Sequence, residues 1–276
     1  MEKIDNSEDF LARAIDTSNG FNDCKPEELQ NFLTQPYEKL KEKNPETNET
    51  IEDFTKSFVK SFNNICKPFR TILLLSANQF TLTESLSPRS IIRSIRANQL
   101  NQLDEYLLNQ SDAGKEFDIY KILESITNSQ LATKYKKNVQ ECIHAFNNEL
   151  YYPSAVGIIA IADGIISNIS NDQKPNFTTR IDKIQKAALR TLKSINTERK
   201  SNDIDFLNQN IAFISFFASQ YYFFGRAPFT NSEPLHINRH WIAHGRSSRC
   251  VSKLDCIKLF RLLNTLLTIN ELLSTE

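Results

Sequence analysis

The stretch that most constrains the fold runs from Leu254 to Leu273. Leu254, Ile257, Phe260, Leu263, Leu266, Leu267 and Leu273 recur at helical spacing, and Leu259, Leu262 and Leu272 widen the apolar face. Lys258, Arg261, Thr265 and Thr268 form the only polar stripe. A helix with so much apolar surface has to be buried in a bundle, in a dimer interface, or in both.

The rest of the chain repeats that period. Ile51, Phe54, Phe58, Phe62 and Ile65 form one stripe, and Pro68 ends or kinks that helix. Ile72 to Leu75 is too short for periodicity to choose between strand and buried helix. Ser87-Pro88 opens a helix running through Leu103 and Leu107 to a break at Ser111-Asp112-Ala113-Gly114. Phe117 to Leu150 reads as one long helix or a broken pair. Ser154 to Ile166 is apolar nearly all round and is expected to be central, with Gly157 and Gly164 on one face permitting close approach of a neighbour. A basic helix is expected from Arg180 to about Ile195, and an aromatic-rich helix ends at Gly225. Six Gly and nine Pro in 276 residues disfavour a turn-rich β architecture. The expectation is an all-α, multi-helix bundle, divided at the 111–114 break into a helical region 1–112 and a bundle 113–276.

Leu235 to Arg246 contains the only Trp of the chain and three of its four His. Ser232, Glu233 and Pro234 before it fit a helix start, since Ser can cap free N–H groups and Pro tolerates the first turn. At 100° per residue, Arg239 and His244 project about 140° apart, whereas His240 and His244 share a face. A site using both Arg239 and His244 therefore has to be completed by a neighbouring helix or a second copy of the chain. Arg offers a permanent planar cation suited to phosphate oxygens, and His transfers protons near neutrality. The pair suits metal-free attack on a phosphodiester, and an internal 2′-OH nucleophile would make the substrate RNA.

The string Asn238-Arg239-His240-Trp241-Ile242-Ala243-His244-Gly245 resembles the Arg-(four to six residues)-His signature of the HEPN superfamily, in its Asn-Arg-His-x-x-x-His-Gly version. The resemblance covers roughly the C-terminal 150 residues, and the first hundred match no known pattern. It implies a HEPN-like C-terminal domain that forms a homodimer with two Arg/His pairs at the two-fold axis. It further implies metal-independent endoribonuclease activity of the toxin or phage-defence kind, sometimes held in check by an antitoxin or regulatory protein. On that pattern His244 is the general acid/base and Arg239 the phosphate ligand. His240 and Asn238 support them, and Arg246, Arg249 and Lys253 hold the RNA backbone. Asp163, a carboxylate in an apolar helix, is costly unless paired and is a candidate to orient Arg239 or a motif His. A partly solvated helix edge is the simpler account of it.

Charge is distributed to suit this. The chain is neutral overall, but residues 1–60 carry 8 basic against 14 acidic side chains, residues 174–200 carry 8 against 2, and residues 236–261 carry 6 against 1. Basic charge thus gathers at the motif, as a phosphate-binding surface requires; ordinary solvated helix faces would look the same. Five Cys without a Cys-x-x-Cys pair fit a reduced cytoplasmic protein and disfavour a thiolate zinc site. No signal peptide is apparent at Met1 to Asp5, and the apolar runs Val156 to Ile166 and Ile211 to Phe224 are short for a bilayer, so no membrane role is expected. No cofactor or metal is expected, although His236, His240 and His244 at i, i+4, i+8 would share a helix face able to hold zinc. The alternative from another class is a non-catalytic helical scaffold for dimerisation or partner binding, in which the motif satisfies a hydrogen-bond network.

Overall fold

The computed structural model describes residues 72–83 in part, 103–171, 179–187 in part, 203–225 and 229–274. The expected stripe from Ile51 to Ile65, most of the Ser87 helix and the end of the basic helix lie outside these residues. Among them the fold is all helical, without strands. The order is α1 (Leu103–Gln110), α2 (Ile119–Asn128), a 3-10 turn (Leu131–Tyr135), α3 (Lys136–Asn147), α4 (Tyr151–Ile169), α5 (Asp203–Phe224), α6 (Arg239–Ala243) and α7 (Lys253–Ser274). Residues 179–187 are helical where described. The Phe117–Leu150 region is thus the broken pair, split by the 3-10 turn.

Side-chain caps set the starts of α2 and α7, whereas α3 and α4 begin without one. Asp118 Oδ1 accepts from the N–H groups of Tyr120 (2.9 Å) and Lys121 (3.4 Å), and its Oδ2 accepts from Gly114 N–H (2.7 Å). The Gly114 bond leads the causes that hold this carboxyl below its ordinary range, and the cap bonds outweigh burial. At α7, Ser252 Oγ accepts from Asp255 N–H (3.2 Å) while Asp255 Oδ2 accepts from Ser252 N–H (2.8 Å), a reciprocal pair that satisfies two orphan donors. The Ser111 to Gly114 break is the turn between α1 and α2. Leu103 and Leu107 before it are buried in the same core as Ile122 and Ile126 after it.

The central helix is α7, which packs on α4, α5, α2 and α1. Every residue from Leu254 to Leu267 is buried, so the bundle consumes the apolar surface noted in the sequence. Of its polar stripe Lys258, Arg261 and Thr265 are buried, and Thr268 is half-buried. Arg261 Nε donates to the Thr81 carbonyl (2.9 Å) and its guanidinium lies over the Phe80 ring (4.3 Å) and the Phe117 ring (5.3 Å). Thr265 Oγ1 donates to Thr81 Oγ1 (3.0 Å), Asn264 Nδ2 to Thr83 Oγ1 (3.0 Å), and Lys258 Nζ to Asp104 (2.8 Å). The stripe receives the irregular segment 80–83, which follows helical residues near Leu75 and a turn at Asn78-Gln79.

α4, expected to be central, packs on α7, α3 and α6 and keeps one strip exposed. Ser154, Ala155, Ile158, Ala162 and Ile165 face α7 and α3, while Tyr152, Val156 and Ala160 are exposed. The helix runs 19 residues, longer than the apolar run in the sequence, and among the described residues it alone is long and apolar enough to cross a membrane. Its packing is that of a core helix, covered by α7, α3 and α6. The two glycines act as anticipated: a Cβ on Gly157 would collide with Cys142 Sγ, and one on Gly164 would sit 2.7 Å from Tyr135 Oη. Both admit the α3 side of the bundle.

Candidate functional site

The motif helix is shorter than the sequence suggests and begins later. α6 has five residues, Asn238 is its N-cap, and Ser232, Glu233 and Pro234 lie outside it in irregular chain. Asn238 Oδ1 accepts from His240 N–H (3.0 Å) and Trp241 N–H (3.4 Å). Its Nδ2 donates to the carbonyls of Gly225 (3.1 Å) and Tyr222 (3.4 Å) at the end of α5. At the other end Gly245 takes the left-handed conformation (φ 62), its N–H donates to the Ile242 carbonyl (3.0 Å) and Arg246 N–H donates to the Trp241 carbonyl (2.9 Å). That is a Schellman stop with His244 as C-cap. The string from Asn238 to Gly245 is therefore one short helix with both of its caps.

Ile237, Trp241 and Ile242 anchor this helix in the core. Gln79, buried and itself at positive φ, donates through Nε2 to the Ile237 carbonyl (2.6 Å). The opposite side carries the chemistry. Arg239 Nη2 donates to Asp163 Oδ2 (3.4 Å) on α4, with Arg239 30% and Asp163 27% exposed. Asp163 is thus the partly solvated edge carboxylate and the partner of Arg239 at once. Its Oδ1 lies 3.4 Å from Arg180 Nη2, a guanidinium only 5% exposed.

His240 and His244 meet edge to face, with ring centroids 4.8 Å apart. Both contact Phe229, a residue not singled out in the sequence. His240 stacks on it (4.5 Å, 5° between planes), His244 meets it at 5.6 Å and 77°, and the Arg246 guanidinium lies 5.2 Å over the ring. Its signal was an aromatic next to Pro228 in the loop leading into the motif. Arg239 and His244 thus have different partners, Asp163 and the Phe229 cluster, as their angular separation requires.

His236 does not belong to this group. It precedes the N-cap, so the three His do not share a helix face and the zinc arrangement loses its geometric premise. Burial, and next Lys258, press its pKa below the ordinary 6.5. No cluster of three or more potential metal ligands occurs among the described residues. Glu233 clamps the two loops flanking the motif, accepting from Ser247 Oγ, from Ser248 N–H (2.9 Å) and from Ser248 Oγ (2.9 Å). Burial opposes its ionisation, but these bonds outweigh it and hold the carboxyl below its usual range. Of the three basic residues assigned to an RNA backbone, Arg246 and Lys253 are exposed. Arg249 is paired with the buried Asp255 at 2.9 Å.

A cleft of about 360 Å³ between α3 and α4 is lined by Tyr135, Asn138, Cys142 and Gly157 among others, and no motif residue reaches it. Burial pushes the Cys142 thiol up to about 11, so it is not a thiolate at neutral pH. The arrangement with chemical capacity is the surface of α6 and its C-terminal cap, where two imidazoles contact each other and Phe229, Arg246 lies over that ring, and Arg239 is paired with Asp163. The chain matches no family model, no curated protein and no solved structure.

Proposed function

We propose that the protein is a metal-independent endoribonuclease of the toxin or phage-defence kind. In this reading His244 moves protons during attack by the 2′-OH, and Arg239 carries the charge that develops on phosphorus. His240 and Asn238 set the position of both, and Asp163 orients Arg239. Arg246 and Lys253 bind the RNA backbone. The observation that carries the reading is that one capped helix carries both a partly exposed Arg239 guanidinium and a pair of imidazoles in mutual contact. Arg239 and His244 face different partners within one copy, which favours a homodimer in which the Arg of each copy serves the His of the other. No metal or cofactor is needed for the chemistry described.

A second reading has support from the caps. Asn238 and Gly245 have complete structural roles, so the same string also suits a non-catalytic helical scaffold that dimerises or binds a partner.

One assay separates the two: cleavage of labelled total RNA and matched DNA by the purified chain in excess EDTA, alongside Arg239→Ala and His244→Ala. The nuclease reading expects RNA-only cutting, with losses of about 10²–10⁴ in rate in each variant. A folded dimer that cuts nothing, or an Arg239→Ala variant as active as wild type, overturns it in favour of the scaffold.

A further inference from the structure

We infer that Phe229 is a positioning residue for the proton-transfer group His244, orienting its imidazole while holding Arg246 on the same ring. This rests on the ribonuclease reading. Phe229 is 37% exposed in the turn before the motif, yet its ring is anchored on that of the buried Trp241 (5.4 Å, 79°). From there it touches three side chains to which that reading gives a role. His240 stacks on it at 4.5 Å, His244 meets it edge to face at 5.6 Å, and the Arg246 guanidinium lies 5.2 Å over it.

His244 depends on such a contact. As C-cap of α6 it donates its backbone N–H to the His240 carbonyl (3.3 Å), and the residue is exposed. Among the described residues its imidazole is met by the rings of Phe229 and His240, and neither ring nitrogen has a hydrogen-bond partner. The torsion that turns an imidazole is broad and holds no orientation by itself. His240 lies one turn back on the same short helix, whereas Phe229 comes from outside that helix and is fixed to the core through Trp241. A ring contact leaves both imidazole nitrogens open to substrate, which a hydrogen bond to a protein carboxylate would not. A nitrogen kept on target transfers its proton faster than one that wanders. Arg246 gains a cation–π contact that leaves its N–H fork to a phosphate.

The test uses the full chain with Phe229→Leu, which keeps apolar contact with Trp241 but removes the ring, and Phe229→Tyr, which keeps the ring. Cleavage of an RNA oligonucleotide in excess EDTA gives kcat and KM, and each variant is also melted. Carbon–proton NMR of the imidazoles, assigned with His244→Gln, reports where His244 sits, since an aromatic ring shifts the signals of protons near it. Phe229→Leu is expected to lower kcat by about 10–10² with KM changed less than about threefold. Its His244 signal moves toward that of a free imidazole, while those of His144 and His236 stay. Phe229→Tyr keeps kcat within about threefold of wild type and keeps the His244 signal near its place. A merely structural role predicts losses that follow the melting temperature, with the His244 signal of the folded protein unmoved. Should Phe229→Leu not fold, Phe229→Met takes its place, apolar and without a ring.

If wild type cuts RNA and folded Phe229→Leu cuts as fast, or keeps its His244 signal unmoved, the role of Phe229 is overturned and the ribonuclease reading stands. A loss in Phe229→Tyr as large as in Phe229→Leu likewise overturns it. A wild-type protein that cuts no RNA overturns the ribonuclease reading and this role together.

Discussion

Asn238 and Gly225 are joined by a 3.1 Å hydrogen bond from the amide of one to the carbonyl of the other, and the same Asn238 side chain caps α6. One residue therefore ends α5 and starts α6. Asn238→Ser keeps an acceptor for the cap and loses the donors, at a cost of about 1 kcal/mol. Asn238→Ala loses both functions and costs about 2–3 kcal/mol, measured by urea denaturation. Equal stability of the two variants would mean that only one half of the side chain matters.

Gly157 and Cys142 make a tighter pair than Gly164 and Tyr135. Alanine at either position gains about 1 kcal/mol of helix propensity. At Gly157 the new methyl meets a short buried side chain, and overpacking of about 1–3 kcal/mol outweighs the gain. Gly157→Ala is expected to destabilise, and Gly157→Ala with Cys142→Ala to recover most of the loss. At Gly164 the obstacle is the tip of the Tyr135 ring, which can swing at the cost of its bond from Asn168 (3.2 Å), so Gly164→Ala should lie near neutral. A double-mutant cycle on thermal melts measures the coupling.

The stability of the protein should fall on the acid side in two stages. His236, Glu233 and Asp118 all have folded pKa values below their ordinary ones. For a depressed folded pKa, the native state binds fewer protons than the unfolded chain, so the contribution is full above the unfolded value and is lost as pH falls through the folded one. His236 therefore begins to withdraw stability below its ordinary 6.5, and Glu233 and Asp118 below 4.5 and 3.8. Melting temperature against pH checks this: His236→Gln should flatten the first stage alone, and Glu233→Gln part of the second.

The basic residues after the motif should separate by function. Arg249 is held by Asp255 within the α7 cap, so Arg249→Ala should lower stability by about 1 kcal/mol. Arg246→Ala and Lys253→Ala should leave the melt unchanged and each reduce the salt slope of RNA binding by about 1. An Arg249→Ala variant with an unchanged melt and a reduced slope would reverse that division.

Local rules carried the helical elements, because apolar period is a property of each segment by itself. The burial of α7 and the close approach at Gly157 and Gly164 followed from residue type and spacing. The start of the motif helix did not. Ser232 and Asn238 are comparable caps by propensity, and tertiary demands decide between them: Asn238 is drawn to the α5 carbonyls and Ile237 to Gln79, 158 positions away. Glu233, released from any helix, becomes the clamp on Ser247 and Ser248. Within the candidate site, Arg239 with Asp163 was legible as a costly carboxylate seeking a cation, whereas Arg180 and Phe229 were not, since nothing local to either announces its neighbours.

The polar stripe of α7 has a consequence for how the chain assembles. Arg261 holds a carbonyl 180 positions earlier, and Thr265 and Asn264 hold hydroxyls 184 and 181 positions earlier. A slip of one residue would bring Leu82 against Thr265 and strand the guanidinium, so the match admits a single alignment. Helical proteins ordinarily fold fast because their contacts are local. Here Phe80 can meet Phe117 and Leu82 N–H can reach Ser215 Oγ earlier, but the polar stripe that fixes the alignment of segment 80–83 arrives only when synthesis has passed Thr265, a window in which a chaperone has something to hold.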